Sequence, residues 1–121
     1  MADAQEFQLI FERLRDILKE HEASLKLVEN GETGYSLDTT LPYKGKAMFF
    51  GAVKQGKRYV SFHLMPVYAC PDLLDGISPG LKKRMQGKSC FNFSHVDEAL
   101  FSELSQMTQA GYARFREKGM A

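Results

Sequence analysis

Tryptophan is absent from this chain, cysteine occurs twice and proline four times. Cys70 and Cys90 are too few for a disulfide framework and form no C-x-x-C pair, so they read as two reduced thiols. Long apolar runs are missing as well. The longest, Ala47–Val53, falls far short of the roughly 20 residues with which a helix spans a bilayer. The opening MADAQEF lacks the basic start and apolar run of a secretory leader. From these absences we expect a cytoplasmic protein with no membrane partner. Internal repeats, low-complexity tracts and cofactor motifs are not found either. No catalytic residue, metal ligand or cofactor is assigned from the sequence, and no constellation marks the chain as an enzyme.

What is present fits one globular domain over residues 1–121: 44% of the residues are hydrophobic and 26% charged, ordinary values for a chain able to bury a core. A formal net charge of +1 conceals a segregation. Residues 1–38 carry a net charge of −5, residues 39–90 of +7 and residues 91–121 of −1. Such a field bears on partners rather than on the fold.

Periodicity sets the elements. Phe7, Ile10, Phe11, Leu14, Ile17, Leu18 and His21 recur at three-and-four spacing, which predicts an amphipathic helix over 4–21 with Asp3 and Glu6 as a capping box. Alternation then replaces it. Strands are expected at 24–29 and 34–40, separated by the Asn30-Gly31 turn. The apolar run 47–53 reads as a strand buried on both faces, and 59–65 as its hairpin partner. In that partner Val60, Phe62 and Leu64 face one way, Ser61 and His63 the other. Pro66 is expected to close it. Pro71–Gly76 reads as a helical turn, Ser78-Pro79 as the start of a short helix ended by Gly87, and 89–93 as a last strand. A final helix is expected from a Ser94/Asp97 cap to about Lys118, with Leu100, Leu104, Met107, Gly111 and Phe115 inward. Strands clustered between helices predict an α+β fold: an antiparallel sheet of about five strands, with N- and C-terminal helices packed on one face.

Some local patterns resemble those of the YdhG-like family, a bacterial domain of unknown function. They are Tyr43-Lys44-Gly45-Lys46 before Met48-Phe49-Phe50, the strand Val60-Ser61-Phe62-His63, the pair Leu73-Leu74, and Lys88-Ser89-Cys90-Phe91-Asn92-Phe93. The resemblance implies a frataxin-like fold and, since one relative has been proposed as an iron chaperone, an iron-handling role. The segment Gly34–Pro42 departs from the family pattern, in which a turn with tryptophan or tyrosine, glycine and proline precedes the central hairpin.

Four chemistries compete for the polar residues. His63, Cys70, Cys90 and His95 are zinc-type ligands, but their spacing matches no finger pattern, and Cys90 is expected to pack as a small hydrophobe. Thiol catalysis by Cys70 or Cys90 lacks a recognisable partner base. Iron, the alternative cofactor or cargo, would rest on Glu12, Asp16 and Glu20 of the first helix. The reading preferred from the residues is a non-enzymatic binding domain that accepts a small anionic molecule, or the acidic surface of a protein partner. Its ligand-binding residues would be Lys46, Arg58, Tyr59, His63 and Lys88, in a pocket between the central hairpin and the connector 66–88. Nucleic acid is not expected as a partner, given a pI near 7.8 and an acidic first helix. Monomer and homodimer both fit the sequence.

Overall fold

The computed structural model describes residues 4–39 and 48–119. Its first element, α1 (Ala4–Lys19), buries Phe7, Ile10, Phe11, Leu14, Ile17 and Leu18, the stripe that the spacing predicts. The helix stops two residues earlier than expected. His21 N–H still bonds to Leu18 O at 2.9 Å, and a 3₁₀ turn over Glu22–Ser24 leads into the sheet.

Six antiparallel strands follow where about five were expected: β1 (Lys26–Asn30), β2 (Gly34–Asp38), β3 (Phe49–Gln55), β4 (Val60–Leu64), β5 (Met85–Gln86) and β6 (Cys90–Phe93). Their spatial order is β1-β2-β3-β4-β6-β5. Between β4 and β5 run α2 (Met65–Ala69), a 3₁₀ turn over Pro71–Leu74 and the short α3 (Pro79–Lys82); α4 (Glu98–Glu117) closes the chain. The class is α+β, with an N- and a C-terminal helix on an antiparallel sheet, as the sequence predicts. Among the described residues no helix is long and apolar enough to cross a membrane.

The register explains the two faces. Tyr35 lies opposite Val53, Val53 opposite Phe62, and Phe62 opposite Phe91. This row, with Leu37, Val60, Leu64 and Phe93, is buried in one cluster with α1 and α4. Alternate positions form the other face: Ser36 opposite Ala52, Ala52 opposite His63, His63 opposite Cys90, and Ser61 opposite Asn92. A bulge between β2 and β3 sets Asp38 opposite Phe49 and Leu37 opposite Gly51, so Phe50 is the extra residue. Phe50 packs edge-on against Phe115 at 5.9 Å and against Tyr112 at 6.2 Å, which ties β3 to α4. At Gly51 a Cβ would come within 2.9 Å of Leu18 Cδ2 and 3.1 Å of His63 O. A side chain there would have to displace the Leu18 side chain and crowd the β4 backbone.

Several local expectations change. β1 is exposed along its whole length because it is an edge strand; Leu25 just before it is buried, but Leu27 is not. Pro66 does not merely end β4: it occupies the first turn of α2, where its missing N–H costs nothing. Ser78 caps α3, its Oγ accepting from Leu81 N–H at 3.2 Å, but that helix ends at Lys82. Gly87, with φ of 78°, instead makes the tight turn between β5 and β6 that the sequence reading placed inside a helix end. Asp97 alone caps α4, accepting from Leu100 N–H at 3.2 Å; Ser94 lies three residues upstream. Asp3 lies outside the described residues.

Candidate functional site

The connector from β4 to β6 is held down at both ends. α2 lies under α4 so closely that a Cβ on Gly111 would stand 2.6 Å from Pro66 Cβ. Arg114 of α4 donates two hydrogen bonds to the carboxylate of Asp72, which pins the 3₁₀ turn and holds the Asp72 carboxyl below its usual range. At the far end Leu64 N–H donates to Ser89 O at 3.0 Å, joining the β5–β6 turn to the end of β4. Between these anchors a cleft of about 380 Å³ opens, walled by Val67, Tyr68, Pro71, Leu74, Met85 and Gly87, with Lys88 at its edge. Lys88 Nζ stands 5.9 Å from the centroid of the Tyr68 ring. Tyr68 itself is 56% exposed, a large aromatic left in solvent beside an apolar wall. Among the described residues, no carboxylate pairs with Lys88.

The other residues of the sequence-derived anion set lie elsewhere. Arg58 and Tyr59 are exposed in the β3–β4 turn. Lys88 is joined to the opposite end of β4, and at about 3.3 Å per residue the ends of the strand Val60–Leu64 stand roughly 13 Å apart. His63, the penultimate residue of β4, projects on the face away from the helices. Lys46 lies outside the described residues, as do Tyr43 and Lys44. Lys83 and Arg84, from the same basic stretch, border a smaller cleft of about 260 Å³ with His95 and Asp97 at the start of α4.

The carboxylates weighed for iron are divided. Asp16 and Glu20 face a groove between α1 and α4 opposite Glu98, which is bridged to Arg13. Glu12 instead accepts from Gln8 Nε2 at 3.1 Å. Among the described residues, no three side chains of histidine, cysteine, aspartate or glutamate are placed to share a metal ion.

The four zinc-type side chains also separate, with one exception. Cys70 is buried at the end of α2, with Lys118 Nζ 3.5 Å from its sulfur, and His95 lies beside Glu6 of α1. His63 and Cys90, however, are cross-strand partners, with Nε2 and Sγ 3.6 Å apart. Cys90 is therefore not a core residue: it is half-buried on the helix-free face. Asn92 Oδ1 lies 3.5 Å from its sulfur and accepts from Ser61 Oγ at 2.8 Å. Burial raises the pKa of the thiol, while burial and then the charge of Lys54 lower that of the imidazole. Both shifts favour the neutral thiol–imidazole pair over the thiolate–imidazolium pair of a cysteine nucleophile. Sequence spacing missed the pair because 27 residues separate its members; only the β4–β6 register brings them together. Comparison with protein-family models, with curated proteins and with solved structures found no match.

Proposed function

We propose that this protein is a small-ligand binding domain whose site is the connector cleft, and that its ligand is an organic anion with an apolar body. The observation that carries the reading is Lys88, without a carboxylate partner among the described residues, beside the exposed Tyr68 ring in an otherwise apolar cleft of about 380 Å³. That volume falls in the usual range for small-molecule sites, roughly 300–1,000 Å³, and the cleft at Lys83, Arg84 and His95 falls below it. In this reading Val67, Leu74 and Met85 take the apolar body, Tyr68 covers it, and Lys88 meets the carboxylate or phosphate head. Arg58 and Tyr59 have no part in it, since they stand at the other end of β4.

Kinship with the YdhG-like, frataxin-like proteins is part of the same proposal, supported by the order helix, antiparallel sheet, helix. Iron handling has less support, because Glu12 is turned away from the groove that Asp16 and Glu20 share. The test uses octanoate, benzoate and inorganic phosphate as probes, read by thermal melting and by amide chemical shifts. Octanoate or benzoate at millimolar concentration should raise the melting temperature and move resonances of Tyr68, Met85 and Lys88. Lys88→Met should remove the response, and Arg58→Ala should keep it. Loss of the response in Arg58→Ala, or a response to phosphate alone, would move the site away from the connector cleft.

A further inference from the structure

The geometry points to a second site on the opposite face of the sheet: His63 and Cys90 form a two-ligand chelate for a thiophilic d¹⁰ cation, Zn²⁺ or Cd²⁺. The distance between the two donor atoms makes the case. Zinc–nitrogen and zinc–sulfur bonds of about 2.05 and 2.3 Å at the tetrahedral angle put the donors about 3.6 Å apart. His63 Nε2 and Cys90 Sγ are 3.6 Å apart already. An ion can enter without moving either strand, because β4 and β6 hold the two residues as directly paired partners.

Access and support fit the same role. No described helix lies over this face, and the surrounding positions are small or polar: Ser36, Ala52, Ser61 and Asn92. Asn92 Oδ1 sits 3.5 Å from the sulfur and is itself oriented by Ser61 Oγ. The Cys90 S–H donates to Asn92 Oδ1 in the empty site, a bond given up when the thiol is deprotonated. Thiolate with imidazole is a donor set suited to soft and borderline ions, whereas magnesium and calcium call for oxygen donors. His63 is held in the neutral form that ligates, by burial and by Lys54. The same Lys54 charge opposes any cation. With two protein donors and two positions left to solvent, the site binds more weakly than a four-ligand zinc site.

Binding releases the Cys90 proton: the S–H bond breaks, the S–metal bond forms, and the proton passes to solvent. Because a proton is released, affinity should rise with pH. The experiment is a titration of the full chain with Cd²⁺ alone, following the sulfur-to-metal charge-transfer absorbance. A 1:1 band is expected, absent in Cys90→Ser and unchanged in Cys70→Ser. His63→Gln should keep the band with affinity lowered tenfold or more. In the unmutated chain, Cd²⁺ should also slow alkylation of Cys90, a readout that no variant's folding can confuse. Absence of a band in the unmutated chain, a band surviving Cys90→Ser, or His63→Gln binding as tightly as the parent would each overturn the assignment. None of these outcomes bears on the connector cleft, where neither residue lies.

Discussion

Ser61 and Phe62 are neighbours in one strand yet belong to different chemistry. Phe62 faces the helices and is fully buried among Val53, Phe91 and the apolar stripes of α1 and α4. Ser61 faces the other way, half-buried, and donates to Asn92. The contrast holds along the row: Tyr35, Leu37, Val53, Leu64 and Phe93 on one side, Ser36, Lys54, His63, Cys90 and Asn92 on the other. The helix side is closed, and two of its buried polar side chains are satisfied locally. Tyr35, fully buried, donates its hydroxyl to Glu22 at 2.7 Å, and burial together with that bond raises the phenol pKa. Thr108 donates to Leu104 O at 2.7 Å. The other face leaves donors and ligands where a solute can reach them. Core packing is concentrated on the first face, and half-buried polar side chains on the second.

The largest test of that division is a pair of substitutions in β4. Phe62→Ala should cost about 3–5 kcal/mol by urea denaturation, since it removes a ring from the closed side and leaves a cavity. Ser61→Ala, one residue away, should cost about 1 kcal/mol for its hydrogen bond to Asn92. Comparable losses at the two positions would erase the distinction between the faces. A middle-sized effect is expected at Gly111→Ala. Helix propensity favours alanine by about 1 kcal/mol, but the added Cβ would meet Pro66 at 2.6 Å, and the proline ring cannot turn aside. Overpacking of about 1–3 kcal/mol should win, giving a lower denaturation midpoint. A stabilised variant would mean that α2 and α4 separate easily, and that the connector cleft is less firmly built than its contacts indicate.

The smallest effect concerns His21, at the border of the closed layer, 5.0 Å from the Tyr112 ring and 6.2 Å from that of Phe50. Its buried Nε2 has no hydrogen-bond partner among the described residues. Burial lowers its pKa from the usual 6.5, opposed by the neighbouring Glu20 carboxylate. With the folded pKa below the unfolded one, the unfolded chain takes up the proton first. The His21 contribution therefore destabilises the fold as pH falls through 6.5 and toward the folded value, and has no effect well above 6.5. His21→Phe should flatten stability against pH in that window relative to the parent, measured by denaturation at a series of pH values. Identical slopes would show His21 to be solvated in the folded state.

Much of this was legible in the chain. The stripe from Phe7 to Leu18 and the alternation of β4 were readable because each burial pattern repeats with the geometry of its own element, 3.6 or 2 residues. The Ser78 cap was readable because its chemistry is complete within four residues. β5 was not: two residues carry no period, and Gly87 suits a helix end and a tight turn equally well. Phe50 was not, because a bulge rather than alternation sets its direction.

By itself the sequence determined the class of fold and which side of β4 enters the core, since both follow from apolar spacing within single elements. The tertiary structure decided which polar residues meet. Lys88 and Arg58 are basic residues of one stretch, but the length of β4 sends them to opposite ends of the sheet. His63 and Cys90 match no spacing pattern, and the β4–β6 register sets them 3.6 Å apart. A site depends on distances between elements, and those come from strand order and register rather than from any local run of residues.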